Sequence, residues 1–112
     1  NIHVKGSKDR FRDFIYIDDV VDAFISALNR KDFSFQAINI SSGIKSTVEK
    51  LISVIKKNIP FSISAEYSGS TPGDQFGITG DGSKAKKLLY WSPKVDLEYG
   101  IQMTCKWALS LV

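Results

Sequence analysis

The chain of 112 residues is long enough for one small domain or for part of a larger protein. Hydrophobic residues make up 43% of it and charged residues 24%, which is typical of a globular protein that buries a core. The net charge of +3 comes from scattered lysines without a nucleic-acid-reading motif, so we expect no nucleic-acid partner. A single cysteine, Cys105, excludes an internal disulfide, and a single histidine, His3, leaves no Cys/His spacing for a metal site.

Two further expectations concern the location of the protein and its extent. No apolar run approaches the length of a membrane span and no signal segment opens the chain, so we expect no membrane partner and a cytoplasmic location. The chain begins with Asn1 and its only methionine is Met103, which indicates a piece of a longer protein. We expect residues 1–112 to form one domain of that protein.

The first predicted unit is a pair of strands followed by a helix. A short apolar stretch at residues 2–4 and an aromatic, β-branched run at 13–18 predict the strands. Asp18 and Asp19 end the second strand, and either residue can cap the helix. The apolar stripe of this helix consists of Val20, Ala23, Phe24, Ala27 and Leu28.

The second predicted unit is a short strand at residues 37–41 followed by another helix. Ser46 and Glu49 match a capping box, in which the two side chains satisfy free backbone N–H groups at the start of a helix. Pro60 ends this helix. Its apolar stripe consists of Val48, Leu51, Ile52, Ile55 and Ile59.

The last part of the chain contains one strand, one long loop and two helices. Residues 61–67 alternate between apolar and polar side chains, as a half-buried strand does. Residues 68–82 form a Gly-, Ser- and Thr-rich loop, and loops of this length are usually either functional or disordered. A helix is predicted at 83–89, and a last helix, which Asp96 can cap, follows the break at Trp91-Ser92-Pro93. The predicted buried side of the last helix consists of Leu97, Ile101, Cys105, Ala108 and Leu109. This order predicts an α/β fold with short strands and about four helices.

The residues alone identify no catalytic centre. A Gly-x-Gly-x-x-Gly fingerprint is absent, and residues 77–84 lack the Gly-Lys-Ser/Thr ending of a phosphate loop. Arg12 is either a surface arginine or a guanidinium that holds a phosphate. Asp74 either stabilises its own turn or accepts hydrogen bonds from ribose hydroxyls.

Four acidic residues lie close together at Asp13, Asp18, Asp19 and Asp22. They could suggest a metal site, but helix capping, the helix dipole and pairing of Asp13 with Arg12 or Arg10 account for them better. We therefore expect no bound metal.

Several segments together resemble the extended short-chain dehydrogenase/reductase family, the NAD-dependent nucleotide-sugar epimerases and dehydratases that include UDP-glucose 4-epimerase. The strongest match is residues 12–23, RDFIYIDDVVDA, and further matches follow in the order that the family shows. These further segments are 37–43 (AINISSG), 47–51 (TVEKL), 72–74 (PGD), 81–93 (DGSKAKKLLYWSP) and 97–101 (LEYGI).

The resemblance implies a two-domain parent enzyme with NAD in an N-terminal Rossmann domain and a UDP- or dTDP-sugar in the cleft. The chain corresponds to the C-terminal substrate-binding domain of such an enzyme, and the Rossmann domain is absent from it. The catalytic Tyr-x-x-x-Lys of the family lies in that missing domain; the one such spacing in this chain, Tyr90 to Lys94, begins instead within the segment 81–93 that resembles the C-terminal part of the family. We therefore expect the chain alone to be inactive and to bind no NAD.

The resemblance also implies a substrate-binding role for four residues. Arg12 matches the arginine that contacts the nucleotide diphosphate, and Asp74 matches the carboxylate at the ribose end. Phe14 and Val48 match positions of apolar contact with the nucleotide. Thr71 departs from the family, because an arginine often precedes Pro-Gly-Asp there, so a second phosphate cation is missing.

Tyr90 departs from the family as well, since it replaces the usual glycine. A left-handed backbone at that position would cost on the order of 1 kcal/mol. The departure concerns stability rather than function.

An alternative hypothesis treats the chain as an interaction module without affinity for a ligand. The apolar faces that a Rossmann domain would cover would then drive self-association, so a homo-oligomer is expected on this hypothesis.

Overall fold

The computed structural model describes residues 1–32 and 34–112. Within them the chain forms an α/β fold with short strands and four helices, as predicted. The strands are β1 (Ile2–Lys5), β2 (Phe11–Arg12), β3 (Ser46–Thr47) and β4 (Ala65–Ser68). The helices are α1 (Ile17–Leu28), α2 (Val48–Lys57), α3 (Ser83–Leu89) and α4 (Leu97–Leu109).

The strands form two separate two-stranded sheets. β1 and β4 are parallel, with Ile2 opposite Ala65 and Lys5 opposite Ser68. β2 and β3 are antiparallel, with Phe11 opposite Thr47 and Arg12 opposite Ser46. The second sheet is short, but it brings the start of α2 next to the arginine-containing strand.

A small apolar cluster holds α1 and α3 together. Ala23 of α1 and Ala85 and Leu89 of α3 are buried in it with Trp91, and Ile15, Ile38 and Ile40 pack against it. The indole Nε1 of Trp91 donates a hydrogen bond of 2.8 Å to the backbone oxygen of Asp19. A buried tryptophan needs such an acceptor, so the bond fixes how the helices meet.

Two predicted strands do not form within the described residues. Residues 13–16 are non-helical and outside any strand, while β2 ends at Arg12. In segment 37–41 the half-buried Ile38 and Ile40 alternate with the exposed Ala37 and Asn39, but no strand pairs with this segment. Alternation predicts which side chains face the core, whereas a strand also requires a hydrogen-bonding neighbour. The strand predicted at 61–67 is likewise confined to β4, opposite the four residues of β1.

The predicted caps are partly wrong. α1 begins at Ile17 without a side-chain cap, so Asp18 and Asp19 lie inside its first turn. The cap of α2 is Thr47, whose Oγ1 accepts a hydrogen bond of 3.1 Å from the Lys50 N–H, rather than Ser46. Ser46 is paired in β3, and this shifts the start of the helix by one residue.

The predicted bounds of α3 and the predicted cap of α4 are confirmed. The carboxylate of Asp96 accepts a hydrogen bond of 2.8 Å from the backbone N–H of Tyr99 and so caps α4. Tyr90 follows α3 in the left-handed conformation, with φ of 53°. This is the conformation in which glycine is favoured over any residue with a Cβ.

The helix surfaces are more exposed than their apolar patterns predict. Ala23 of the α1 stripe is buried, but Phe24 is 67% exposed and Leu28 is 78% exposed. In α4, Cys105 is buried, whereas Ala108 and Leu109 are exposed. No helix of the described part of the chain is long and apolar enough to cross a membrane.

Candidate functional site

The candidate site consists of two arginines and one carboxylate. Arg10 and Arg12 lie on either side of Phe11, and side chains two residues apart on extended backbone point the same way. Arg12 Nη2 donates to Asp74 Oδ1 at 2.8 Å, and Arg10 Nη1 donates to Asp74 Oδ2. Arg12 Nη1 also donates to the backbone oxygen of Phe11 at 2.8 Å. Two residues predicted to bind substrate, Arg12 and Asp74, are thus in contact although 62 positions separate them.

Backbone hydrogen bonds hold the long loop against β2. The Phe11 N–H donates to the Phe76 oxygen at 3.2 Å, and the Ile78 N–H donates to the Phe11 oxygen at 3.4 Å. Gly77 lies so close to the Phe11 ring that a Cβ at this position would be 2.0 Å from it. Only glycine fits there, and this contact sets the position of the Asp74 turn over the two arginines.

Val48 adjoins this site through the backbone of Arg10, the residue before β2. It is the first residue of α2, and its N–H donates a hydrogen bond of 2.8 Å to the backbone oxygen of Arg10. The side chain is half-buried. The pairing of β2 with β3 and this bond therefore bring the backbone of Val48 next to that of Arg10.

Phe14 borders a different cavity. It is 37% exposed and lies at a groove of about 800 Å³ between residues 14–17 and α4. Ile101 and Trp107 are among the apolar residues that line this groove from α4. Of the four predicted site residues, Arg12 and Asp74 touch, Val48 adjoins them, and Phe14 borders the α4 groove.

Asp13 organises the loops behind the site, a role that the sequence analysis missed. Its Oδ1 accepts hydrogen bonds from the Ser42 N–H (3.0 Å) and the Ser42 hydroxyl (2.6 Å), and its Oδ2 accepts from Gly43 (2.8 Å) and Gly80 (3.2 Å). Burial would raise the pKa of Asp13, but these hydrogen bonds outweigh it and hold the pKa below its ordinary value. The predicted pairing of Asp13 with Arg12 or Arg10 is wrong, because both arginines bind Asp74.

The other acids of the sequence cluster are also separated. Asp19 is 2% exposed, and its Oδ2 accepts hydrogen bonds from the N–H groups of Lys94 and Val95, both at 3.0 Å. Asp22 pairs with the ammonium of Lys94 at 3.0 Å. Among the described residues, no three His, Cys, Asp or Glu side chains converge as metal ligands would.

The glycines near the start of α3 do not provide room for a dinucleotide. A Cβ on Gly80 would meet the Ser41 side chain at 2.5 Å, and one on Gly82 would meet the Ser41 backbone oxygen at 2.6 Å. Gly80 and Gly82 therefore allow the chain to pack closely against Ser41. In a dinucleotide-binding loop, by contrast, the backbone beside the glycines is left open for a pyrophosphate. The geometry of this segment does not fit NAD.

Known proteins with similar sequence and fold include several nucleotide-sugar epimerases. The chain is 32% identical over 108 residues to UDP-glucuronate 4-epimerase of Thermodesulfobacterium geofontis, covering 96% of this chain and 33% of that protein. It also resembles the UDP-glucose 4-epimerase of Thermotoga maritima, solved with UDP-glucose (32% identity, TM-score 0.90, 99% of this chain and 35% of that one). A third match is the UDP-glucuronic acid 4-epimerase of Bacillus cereus, solved with UDP-glucuronic acid and NAD (30% identity, TM-score 0.89, 98% and 35%).

The extent of these matches defines which part of the family the chain represents. No family model matches the chain. The chain spans about a third of the length of the curated relatives that it matches. The chain is therefore a homologue of the C-terminal part of the extended short-chain dehydrogenase/reductases, the family of NAD-dependent nucleotide-sugar epimerases and dehydratases.

Proposed function

We propose that this chain is the nucleotide-sugar-binding portion of an NAD-dependent sugar epimerase or dehydratase. The observation that carries the proposal is the contact between Arg12 and Asp74, which come from distant segments that resemble the substrate-binding motifs of the family. Similar proteins solved with UDP-glucose and UDP-glucuronic acid support a UDP-sugar as the ligand.

In this proposal Arg12 binds the diphosphate. Its guanidinium presents several donors in one plane, which suits the oxygens of adjacent phosphates. The side chain is 34% exposed, so a ligand can reach it. The bonds of Arg12 to Asp74 and to the Phe11 oxygen hold the guanidinium in place before a ligand arrives.

Asp74, Val48 and Phe14 would bind the rest of the nucleotide. The carboxylate of Asp74 can accept hydrogen bonds from ribose hydroxyls, because its side chain remains 28% exposed beside the two arginines. Val48 supplies an apolar surface next to Arg10. Phe14 supplies a second apolar surface from the edge of the α4 groove.

NAD and the catalytic residues belong, in this proposal, to a Rossmann domain outside this chain. Bound NAD supplies a hydride acceptor and donor at the sugar ring, and the parent reaction leads to epimerisation or dehydration. The part played by this chain is to hold and orient the nucleotide end of the substrate. On its own, the chain is expected to be inactive.

An apolar face of α1 supports the existence of that second domain. Ile17, Val21, Phe24, Ile25 and Leu28 are 46–78% exposed and follow helical spacing along one side of the helix. A contiguous exposed apolar face of this kind indicates an interaction surface. We infer that the Rossmann domain covers this face, since the relatives are about three times as long as this chain.

Sedimentation velocity separates this inference from the self-associating module. Adding a Rossmann domain from a similar epimerase should give a one-to-one complex that Phe24→Ser weakens. If the chain forms oligomers by itself and these persist after the Rossmann domain is added, the alternative hypothesis of a self-associating interaction module is favoured.

Titration with UDP tests the binding proposal directly. We expect Arg12→Ala to weaken UDP binding by roughly tenfold or more, because it removes charge-assisted hydrogen bonds to phosphate. Isothermal calorimetry would measure the dissociation constants. Arg30→Ala is the matched control, since Arg30 pairs with Asp32 rather than with Asp74. Equal affinities of the unmodified chain and Arg12→Ala, or no affinity for UDP in either, would contradict the proposal.

A further inference from the structure

Each carboxylate oxygen of Asp74 accepts a hydrogen bond from a different arginine. Arg12 donates to Oδ1, and Arg10 donates to Oδ2. Two positive charges and one negative charge leave the cluster with a net charge of +1. With Arg12 and Asp74 alone, the same site would be a neutral ion pair, which attracts a phosphate far less.

Arg10 is built into the fold more deeply than Arg12. Its side chain is 16% exposed, against 34% for Arg12. Its Nη2 donates to the backbone oxygen of Lys5, which ties the guanidinium to the end of β1. Gly6 leaves the space that the guanidinium fills, since a Cβ on Gly6 would lie 2.7 Å from Arg10 Cζ. Arg10 is thus the inner cation of the cluster, and Arg12 is the outer one.

The long loop provides no cation at the position where the family resemblance predicts an arginine. That position is Thr71, an exposed residue whose backbone oxygen accepts a hydrogen bond of 3.1 Å from the Asp74 N–H. The second guanidinium near Asp74 comes from the strand side of the site instead, two residues before Arg12.

We propose that Arg10 is the second cation of the diphosphate site, which balances Asp74 so that the charge of Arg12 is available to the ligand. This proposal rests on the proposed function, since it concerns the same ligand. Arg10 acts through Asp74 and is therefore a positioning residue rather than a direct phosphate ligand. It would compensate for Thr71 and adapt this chain to a pyrophosphate group.

Binding of inorganic pyrophosphate tests the charge argument without the ribose or the sugar. Calorimetric titration at low ionic strength is suitable, because salt screens interactions of exposed charges. We expect Arg10→Gln to weaken pyrophosphate binding by about tenfold, because the cluster beside the ligand loses one positive charge and becomes neutral. Adding Asp74→Asn to Arg10→Gln removes the carboxylate and returns the cluster to +1, so most of the lost affinity should return.

A merely structural role of Arg10 predicts a different pattern. Loss of a loop anchor would not be repaired by Asp74→Asn, so a double variant as weak as Arg10→Gln would overturn the proposal. Arg10→Lys is a second test, because lysine keeps the positive charge but lacks the planar guanidinium group. We expect its affinity to stay within a few-fold of the unmodified chain, and a loss as large as that of Arg10→Gln would also overturn the charge argument.

Arg12→Gln distinguishes failure of this proposal from failure of the proposed function. If Arg12→Gln abolishes pyrophosphate binding and Arg10→Gln leaves it unchanged, the diphosphate site stands and only the role of Arg10 is wrong. If the unmodified chain binds no pyrophosphate, or if Arg12→Gln has no effect, both proposals are wrong.

Discussion

Replacement of Asp19 by alanine should destabilise the fold more than its place in the first turn of a helix suggests. Asp19 is 2% exposed, and its carboxylate accepts backbone hydrogen bonds of 3.0 Å from Lys94 and Val95. These bonds join the start of α1 to the segment that leads into α4. Alanine at this position leaves both N–H groups without their acceptor.

The size of the effect follows from the number and burial of the lost bonds. An unsatisfied buried donor costs about 1–3 kcal/mol, and water can reach part of this partly buried segment. We therefore expect a loss of about 2–4 kcal/mol in the free energy of unfolding. For a domain of this size that corresponds to a fall in melting temperature of roughly 10–25 °C.

Thermal and urea unfolding followed by circular dichroism would measure this loss. Asp18→Ala is the matched control, because Asp18 is the exposed neighbour in the same turn. It should lose only the interaction of an exposed charge with the helix dipole, about 0.3–1 kcal/mol. If the two variants differ by less than about 1 kcal/mol, the carboxylate of Asp19 does not hold the two segments together as the geometry indicates.

Three further changes test other parts of the structure. The folded-state pKa of Asp13 is depressed, so its contribution to stability is present at neutral pH and is lost as the pH falls through about 4 and below. Asp13→Asn should therefore be less stable at pH 7 and show a shallower loss toward acid, as urea midpoints between pH 7 and pH 3 would reveal. Tyr90→Gly should stabilise the chain by about 1 kcal/mol, because Tyr90 is left-handed and 94% exposed; an unchanged or lower melting temperature would contradict this. Gly77→Ala should cost about 1–3 kcal/mol and weaken UDP binding, since its methyl group would overlap the Phe11 ring and displace the Asp74 turn. Phe11→Val in the same chain should recover part of that loss, and no recovery would show that the ring is not the obstacle.

Features that depend on neighbouring residues were predictable from the sequence. α3 spans the predicted residues 83–89, and Asp96 caps α4 as predicted. The fold class and the family resemblance were also apparent, because motifs keep their order along the chain whatever their contacts are. A helix cap and a helical stripe involve residues within a few positions of each other, so the sequence indicates where helices form, although it assigns the caps of α1 and α2 to the wrong residues.

The tertiary structure decided which distant residues meet. Arg12 and Asp74 were each ambiguous in the sequence, and only the docking of the 74–78 loop on β2 brings them together. The partners of Asp13 and Asp19 lie 29–76 positions away, so no local pattern identifies them. A hydrogen bond needs two groups at a set distance and angle, and packing of the whole chain determines that geometry. The sequence by itself therefore determined the helices and the family, whereas the tertiary structure determined the carboxylate and guanidinium contacts that form the candidate site.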